Sequence, residues 1–243
     1  MHLTSERRLD GDLLEQDFTL DGVPGILWTP AEAAGPTPLI LLGHPGGTAS
    51  MYPRLLGRAR SAAALGFSSA ALELPGSGNR PRIPDIDAAR IDLQKAVRAG
   101  EPVTASIVDR LVLPLLDQAI PELQAAIDAL LALPGISGPV GYSGGVIAIG
   151  VRLAAVDPRI VAAGLFAGSF IPGATYDDAR RLTIPIHVLL QWDDEFNDRQ
   201  AALDLFDAFG SGEKTLQANL GGHRGVPAYA GADAALFFER HLR

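Results

Sequence analysis

Ser143 lies in Gly141-Tyr142-Ser143-Gly144-Gly145, between a short apolar run and a helix-forming run. A serine with that G-x-S-x-G spacing sits on a sharp strand-to-helix turn, and the small glycines let neighbouring backbone approach. The helix amino terminus behind it offers free N–H groups and the positive end of a dipole to a developing oxyanion. That is the chemistry of nucleophilic attack on a carbonyl. In a chain with 27 glycines the motif alone is weak, because a plain turn packing a helix on a strand reads the same.

A serine hydroxyl needs a base to take its proton. The chain has five histidines: His2, His44, His187, His223 and His241. His2 and His241 lie near the ends, and His187 alternates within an apolar strand-like run. His44 closes another such run and reads as a residue bracing a loop. His223, in Gly221-Gly222-His223-Arg224-Gly225, falls in a loop after the last strand and before the final helix. By position it is the base.

The imidazole in turn needs a carboxylate to fix its tautomer. Gln191-Trp192-Asp193-Asp194-Glu195 follows a strand and supplies acids at the same edge. The oxyanion needs two N–H donors, and electrostatic stabilisation of this kind is commonly the largest catalytic contribution. Gly144, directly after the serine, is one. The second is expected from Gly43-His44-Pro45-Gly46-Gly47. Pro45 has no N–H, so Gly46 is the first choice and Gly47 the fallback.

These residues have to be held by strands alternating with helices. Leu14–Leu20 and Val23–Thr29 flank Asp21-Gly22, a hairpin signal, and that hairpin is expected to open the fold. Strands are then predicted at Pro38–Gly43, Phe67–Leu72, Pro139–Tyr142, Ile160–Phe166, Ile186–Gln191 and Thr215–Ala218. Helices are predicted at Tyr52–Leu65, Asp85–Ala99, Val146–Val156, Asp198–Phe209 and Tyr229–His241. A further helix starts near Thr104, which Pro114 must kink or break, and Pro121 suits a fresh start running through Leu133. The 167–185 segment leaves room for one small helix. Such alternation predicts an α/β fold with a doubly wound, mostly parallel sheet flanked by helices, binding ligands at the carboxyl ends of its strands.

Composition narrows the function classes. The 243 residues are 47% hydrophobic and 20% charged, with net charge −8 and no cysteine. One domain spanning residues 1–243 fits this length. The charge sign argues against nucleic-acid binding, and Arg54, Arg58 and Arg60 read as a solvated helix face. The longest apolar stretch is too short to insert in a membrane, and no secretory h-region opens the chain, so a cytoplasmic location is expected. Absence of cysteine removes thiolate chemistry and thiolate metal sites, leaving Ser143 to carry any covalent step.

The order Ser143, Asp194, His223 matches that of α/β-hydrolases, and the chain resembles that superfamily from about Leu14 onward. His44-Pro45-Gly46-Gly47 is similar to its oxyanion loop, and Glu73-Leu74-Pro75-Gly76-Ser77-Gly78 to its D-x-P-G-x-G turn. Gln191–Asn197 resembles its G-x-x-D-x-x-V acid loop, which selects Asp194 over Asp193. Gly221-Gly222-His223 resembles its G-x-H loop. The closest likeness is to compact esterases grouped with dienelactone-hydrolase-like and prolyl-oligopeptidase-like enzymes. Ser143 stands where true dienelactone hydrolases carry cysteine. Pro45, Gln191 and Asn197 also depart from the common pattern.

The resemblance implies a serine hydrolase acting on a small-molecule carboxylic ester or thioester, without metal or organic cofactor. Alternatives are an acyltransferase, lyase or cyclase on the same fold, and a non-catalytic small-molecule-binding protein. Monomer and homodimer both remain open. Residues 79–118 form an insertion before the nucleophile strand that is expected to act as a helical lid. On it, Ile107, Leu111 and Leu115 form an apolar stripe facing either ligand or core. Tyr142, Trp192 and Tyr52, beside the catalytic loops, are candidate pocket residues.

Overall fold

The computed structural model describes residues 1–243 except Gly11 and Ser169. The chain opens with three antiparallel strands, β1 (His2–Leu9), β2 (Leu13–Leu20) and β3 (Val23–Pro30). Asp21 and Gly22 join β2 to β3 with φ of 50° and 81°, the left-handed pair that a two-residue hairpin turn requires. The hairpin therefore does not open the fold, because β1 precedes it. Residues His2–Arg8 are exposed on both faces, so β1 carries no apolar alternation to betray it. Side-chain pairs hold it to β2 instead, with Ser5 donating to Asp17 at 2.6 Å and Gln16 to Glu6 at 2.7 Å.

The remaining elements alternate: β4 (Thr37–Gly43), α1 (Thr48–Ala64), β5 (Ser68–Leu72), α2 (Pro84–Ala99), α3 (Ala105–Leu131), β6 (Ile136–Gly144) and α4 (Ile147–Val156). Then follow β7 (Ile160–Phe166), α5 (Gly173–Arg181), β8 (Ile186–Gln191), α6 (Arg199–Ala208), β9 (Lys214–Asn219) and α7 (Ala228–Leu242). Among the described residues the strands form one nine-stranded sheet, ordered β1-β2-β3-β5-β4-β6-β7-β8-β9. From β5 to β9 all pairings are parallel. Chain order reverses at β4 and β6, so the crevice for a ligand lies beyond Gly43 and Gly144, which are in register with each other.

Each face of the sheet carries its own core. Leu39 and Leu41 of β4 point toward α3, α4 and α6, where Val112, Ile127 and Leu205 are buried. Ile40 and Leu42 point the other way, toward Leu55 and Ala59 of α1 and Phe237 and Phe238 of α7. Alternation along one strand thus feeds both layers.

The largest departure from expectation is α3. It runs unbroken for 27 residues through both Pro114 and Pro121. Each proline removes one helix hydrogen bond, at roughly 3 kcal/mol. Against this the helix buries Val108, Val112, Leu116, Ile120, Leu123 and Ile127 in the core. At about 1.5–3 kcal/mol for each buried apolar side chain, packing outweighs two lost bonds. Of the 167–185 segment, α5 is the predicted small helix and residue 169 lies outside the described residues. Among the described residues no helix is long and apolar enough to cross a membrane.

Candidate active site

Ser143 is the penultimate residue of β6, in register with Leu42 of β4 on one side and Gly164 of β7 on the other. The left-handed backbone of the turn falls on Gly144 (φ 73°) and Gly145 (φ 78°), not on the serine. Both positions exclude a side chain. A Cβ on Gly144 would stand 2.9 Å from Arg58 Nη2, and one on Gly145 only 2.7 Å from the backbone of Gly43.

His223 lies across the strand ends from Ser143, and both line the same cavity. The imidazole Nδ1–H donates to Asp194 Oδ2 at 2.8 Å, which leaves Nε2 turned away from the acid. Asp194 is almost fully covered, its side chain 4% exposed against 30% for His223. Burial pushes the Asp194 carboxyl up. Hydrogen bonds from Asn197 Nδ2 (2.8 Å), His223 and Phe196 N–H (2.9 Å) outweigh it and hold the group below its ordinary value. The acid is therefore an anion at neutral pH. Phe166 and Phe196 meet the imidazole edge-on, at 5.4 and 5.5 Å between ring centres.

The histidine loop is tied to the acid loop at several points. Gln191 Nε2 donates to the Gly222 carbonyl at 3.1 Å, and the His223 N–H donates to Glu195 Oε2 at 2.9 Å. Two residues that broke the sequence pattern thus have structural work: Gln191 braces the base-bearing loop, and Asn197 orients the carboxylate.

His44 is buried, and its Nε2–H donates to the Leu72 carbonyl at 2.7 Å, joining the turn after β4 to the end of β5. Burial lowers its pKa, which keeps it neutral and bracing. The next turn, carrying Gly46 and Gly47, is anchored by Glu73, whose place at the head of the Glu73–Gly78 turn gave no sign of this contact. Buried Glu73 accepts from Thr48 N at 3.1 Å and Thr48 Oγ1 at 2.6 Å, which also starts α1 a turn earlier than the apolar pattern suggests.

Arg58 corrects another expectation. It is not part of a solvated helix face. Its guanidinium turns inward, donating to the carbonyls of Gly43 (2.8 Å) and Ser143. Burial lowers its pKa to about 10, and among the described residues it has no carboxylate partner. The periodicity of α1 could not reveal this, because arginine reads as surface wherever it falls.

The candidate pocket residues divide differently. Tyr142 is buried on the α3/α4 face, opposite the cavity that holds Ser143, so it is a core residue. Burial raises its phenol pKa. Trp192 is 38% exposed, stacks under Arg199 with 4.4 Å from guanidinium to ring centre, and does not line the cavity. Tyr52 donates to buried Glu15 at 2.7 Å and so serves the amino-terminal sheet. Ile107 and Leu111 are half-buried on α3, Leu111 against the core, and neither lines the cavity. That space holds about 850 Å³ and runs from Ser143 between α1 and α7.

No protein-family model matches the chain, and no match is found among curated proteins. Solved structures do match. A cold-adapted esterase from an Arctic intertidal metagenomic library, in a PEG-bound complex, is 29% identical over 100% of both chains, with a TM-score of 0.78. An acetyl xylan esterase from Paenibacillus sp. R4 is 13% identical, over 99% of this chain and 88% of that one, with a TM-score of 0.67. A putative dienelactone hydrolase from Klebsiella pneumoniae is 16% identical, over 92% and 95%, with a TM-score of 0.65. Strand order, the switch point beyond Gly43 and Gly144, and these neighbours agree: the chain is an α/β-hydrolase-fold protein.

Proposed function

We propose that this protein is a serine hydrolase that cleaves a carboxylic ester or thioester through an acyl-enzyme on Ser143. The observation that carries the reading is the 2.8 Å bond from His223 Nδ1 to Asp194, at a cavity that Ser143 also lines. The 29% identical esterase, matched over its whole length, supports ester hydrolysis as the reaction class.

In this reading Ser143 Oγ attacks the acyl carbonyl while His223 Nε2 accepts its proton. The resulting imidazolium faces the Asp194 anion, whose pKa is held low and which therefore takes up no proton itself. The tetrahedral oxyanion is met by the N–H groups of Gly144 and Gly46. His223 then gives its proton to the departing alcohol or thiol. Water, deprotonated by His223, attacks the acyl-enzyme; the acid leaves, and the proton returns to Ser143. Each step balances without a metal or an organic cofactor.

Covalent labelling tests this. A fluorophosphonate probe should modify the wild-type protein and fail on Ser143→Ala. An unlabelled wild type, or a label that persists in the variant, defeats the proposal.

A further inference from the structure

The cavity beside Ser143 is far larger than proton transfer requires. Its 850 Å³ falls in the upper part of the roughly 300–1,000 Å³ that encloses a drug-sized ligand, whereas an acetyl group fills a small corner of it. It does not open under residues 79–118. From the nucleophile it runs along the sheet face that presents Ile40 and Leu42, between α1 and α7.

Both walls are low. Gly57 and Ala62 line it from α1, and Gly231 and Ala234 from α7. Gly57 and Gly231 are both exposed, and a Cβ built on either would meet no atom within 4 Å, so these two glycines stand at the open side of the space. Phe67 stands at the far end, and Phe238 packs nearer the nucleophile, against Gly141 and against Gly164, the register neighbour of Ser143; both rings are buried. Arg243, at the end of α7, donates to the Leu65 carbonyl and lies 5.6 Å from the centre of the Phe67 ring. The two helices are thus tied at the end remote from Ser143 and separated along the stretch between. Among the described residues no aspartate or glutamate lines the space. Arg54, Arg58 and Ser61 of α1 and His187 also line it, but most of the wall is aliphatic or aromatic. A mostly apolar groove continuous with a nucleophile is a place where apolar surface leaves water as the reacting carbonyl reaches the serine.

We propose that the space between α1 and α7 takes the apolar tail of the ester, running from Ser143 past Phe238 toward Phe67. This rests on the hydrolase reading above and adds the substrate class: esters with a medium to long aliphatic or aryl chain, rather than acetyl esters of small alcohols. The tail belongs to the acyl or to the alcohol portion, and one experiment separates the two.

kcat/KM is measured for p-nitrophenyl esters from acetate to decanoate, and for n-alkyl acetates from methyl to octyl. The wild type is compared with Gly57→Leu and Gly231→Leu, which narrow the open side of the space from opposite walls. Leucine favours a helix more than glycine does and meets open space at both sites, so both variants are expected to fold. In one series, wild-type kcat/KM should climb roughly three- to fourfold per buried methylene, and the variants should lose that increment beyond short chains. A rise in the first series assigns the tail to the acyl group, and a rise in the second to the alcohol. A flat wild-type profile in both series overturns the proposal, as do equal slopes in the wild type and both variants.

A second measurement needs no turnover. Ser143→Ala should bind the fluorescent fatty acid cis-parinaric acid, and adding Gly57→Leu should weaken binding at least tenfold. Equal binding by the single and double variants overturns the tail site. Fluorophosphonate labelling keeps the two levels apart: a labelled protein with flat profiles keeps the hydrolase reading and loses the tail, whereas an unlabelled, inactive protein loses the hydrolase reading itself.

Discussion

The guanidinium of Arg58 donates to the backbone carbonyl of Ser143, and its other terminal nitrogen holds the carbonyl of Gly43 at 2.8 Å. One side chain from α1 thereby ties the end of the nucleophile strand to the end of the strand that leads into the Gly46 turn. If Gly144 and Gly46 bind the oxyanion, Arg58 sets the distance between the two donors. It is a positioning residue.

Arg58→Lys should therefore lower kcat about tenfold while KM stays within a factor of two, because a single ammonium cannot replace a planar fork that reaches two carbonyls. Steady-state kinetics on a short-chain ester checks it. A change confined to KM would place Arg58 in substrate binding instead.

Gly145→Ala should destabilise the fold more than Gly144→Ala. Both positions have left-handed φ, worth roughly 1–2 kcal/mol against alanine. At Gly145 the new methyl also meets fixed backbone at 2.7 Å, whereas at Gly144 it meets the end of the Arg58 side chain, which can shift. Thermal unfolding of the two variants gives the order. The reverse order would mean that the Gly43–Gly145 approach is looser than described.

The acid limb of stability should involve Asp194. Its folded pKa is depressed, so its contribution is complete above the ordinary carboxylate value near 4 and is lost as pH falls through the lower folded value. Removing one of its donors with Asn197→Ala raises the folded pKa toward the ordinary value. The gap in Tm between wild type and variant should be present at pH 7 and shrink as pH falls below the ordinary carboxylate range. A gap that widens on acidification contradicts the stated role of Asn197.

Asp194→Asn should reduce kcat by about 10³- to 10⁴-fold, because an amide no longer fixes the Nδ1–H tautomer of His223. Asp193→Asn should remain within a few fold of wild type, since Asp193 is exposed and no side-chain contact joins it to His223. Equal losses in the two variants would mean that the acid is wrongly chosen.

The placement of the candidate residues at strand ends was the more legible part of this chain. Ser143 and Asp194 stand at strand ends because each follows a short apolar run, and run length is a local property; His223 follows β9, a strand of mixed polarity. Asp194 and His223 are in contact as expected. What escaped depends on contacts distant in sequence. β1 is held by backbone pairing and polar ladders, which leave no hydrophobic period. α3 survives two prolines because its packing on the sheet exceeds a local penalty, and no window of sequence contains that sheet. Arg58 and Glu73 act on backbone atoms up to 85 residues away, through carbonyls and N–H groups that any residue would present. Tyr142 was read as a pocket residue because it adjoins Ser143, but adjacent strand residues point to opposite faces.

The most direct measurement is the mass of the protein during turnover. The wild type mixed with excess p-nitrophenyl octanoate and quenched in acid within the first turnover should be heavier by one octanoyl group. Peptide mapping should place that group on Ser143, and Ser143→Ala should carry none. An ester cleaved at the full rate by Ser143→Ala, or an acyl group mapped to any other residue, would contradict nucleophilic attack by Ser143.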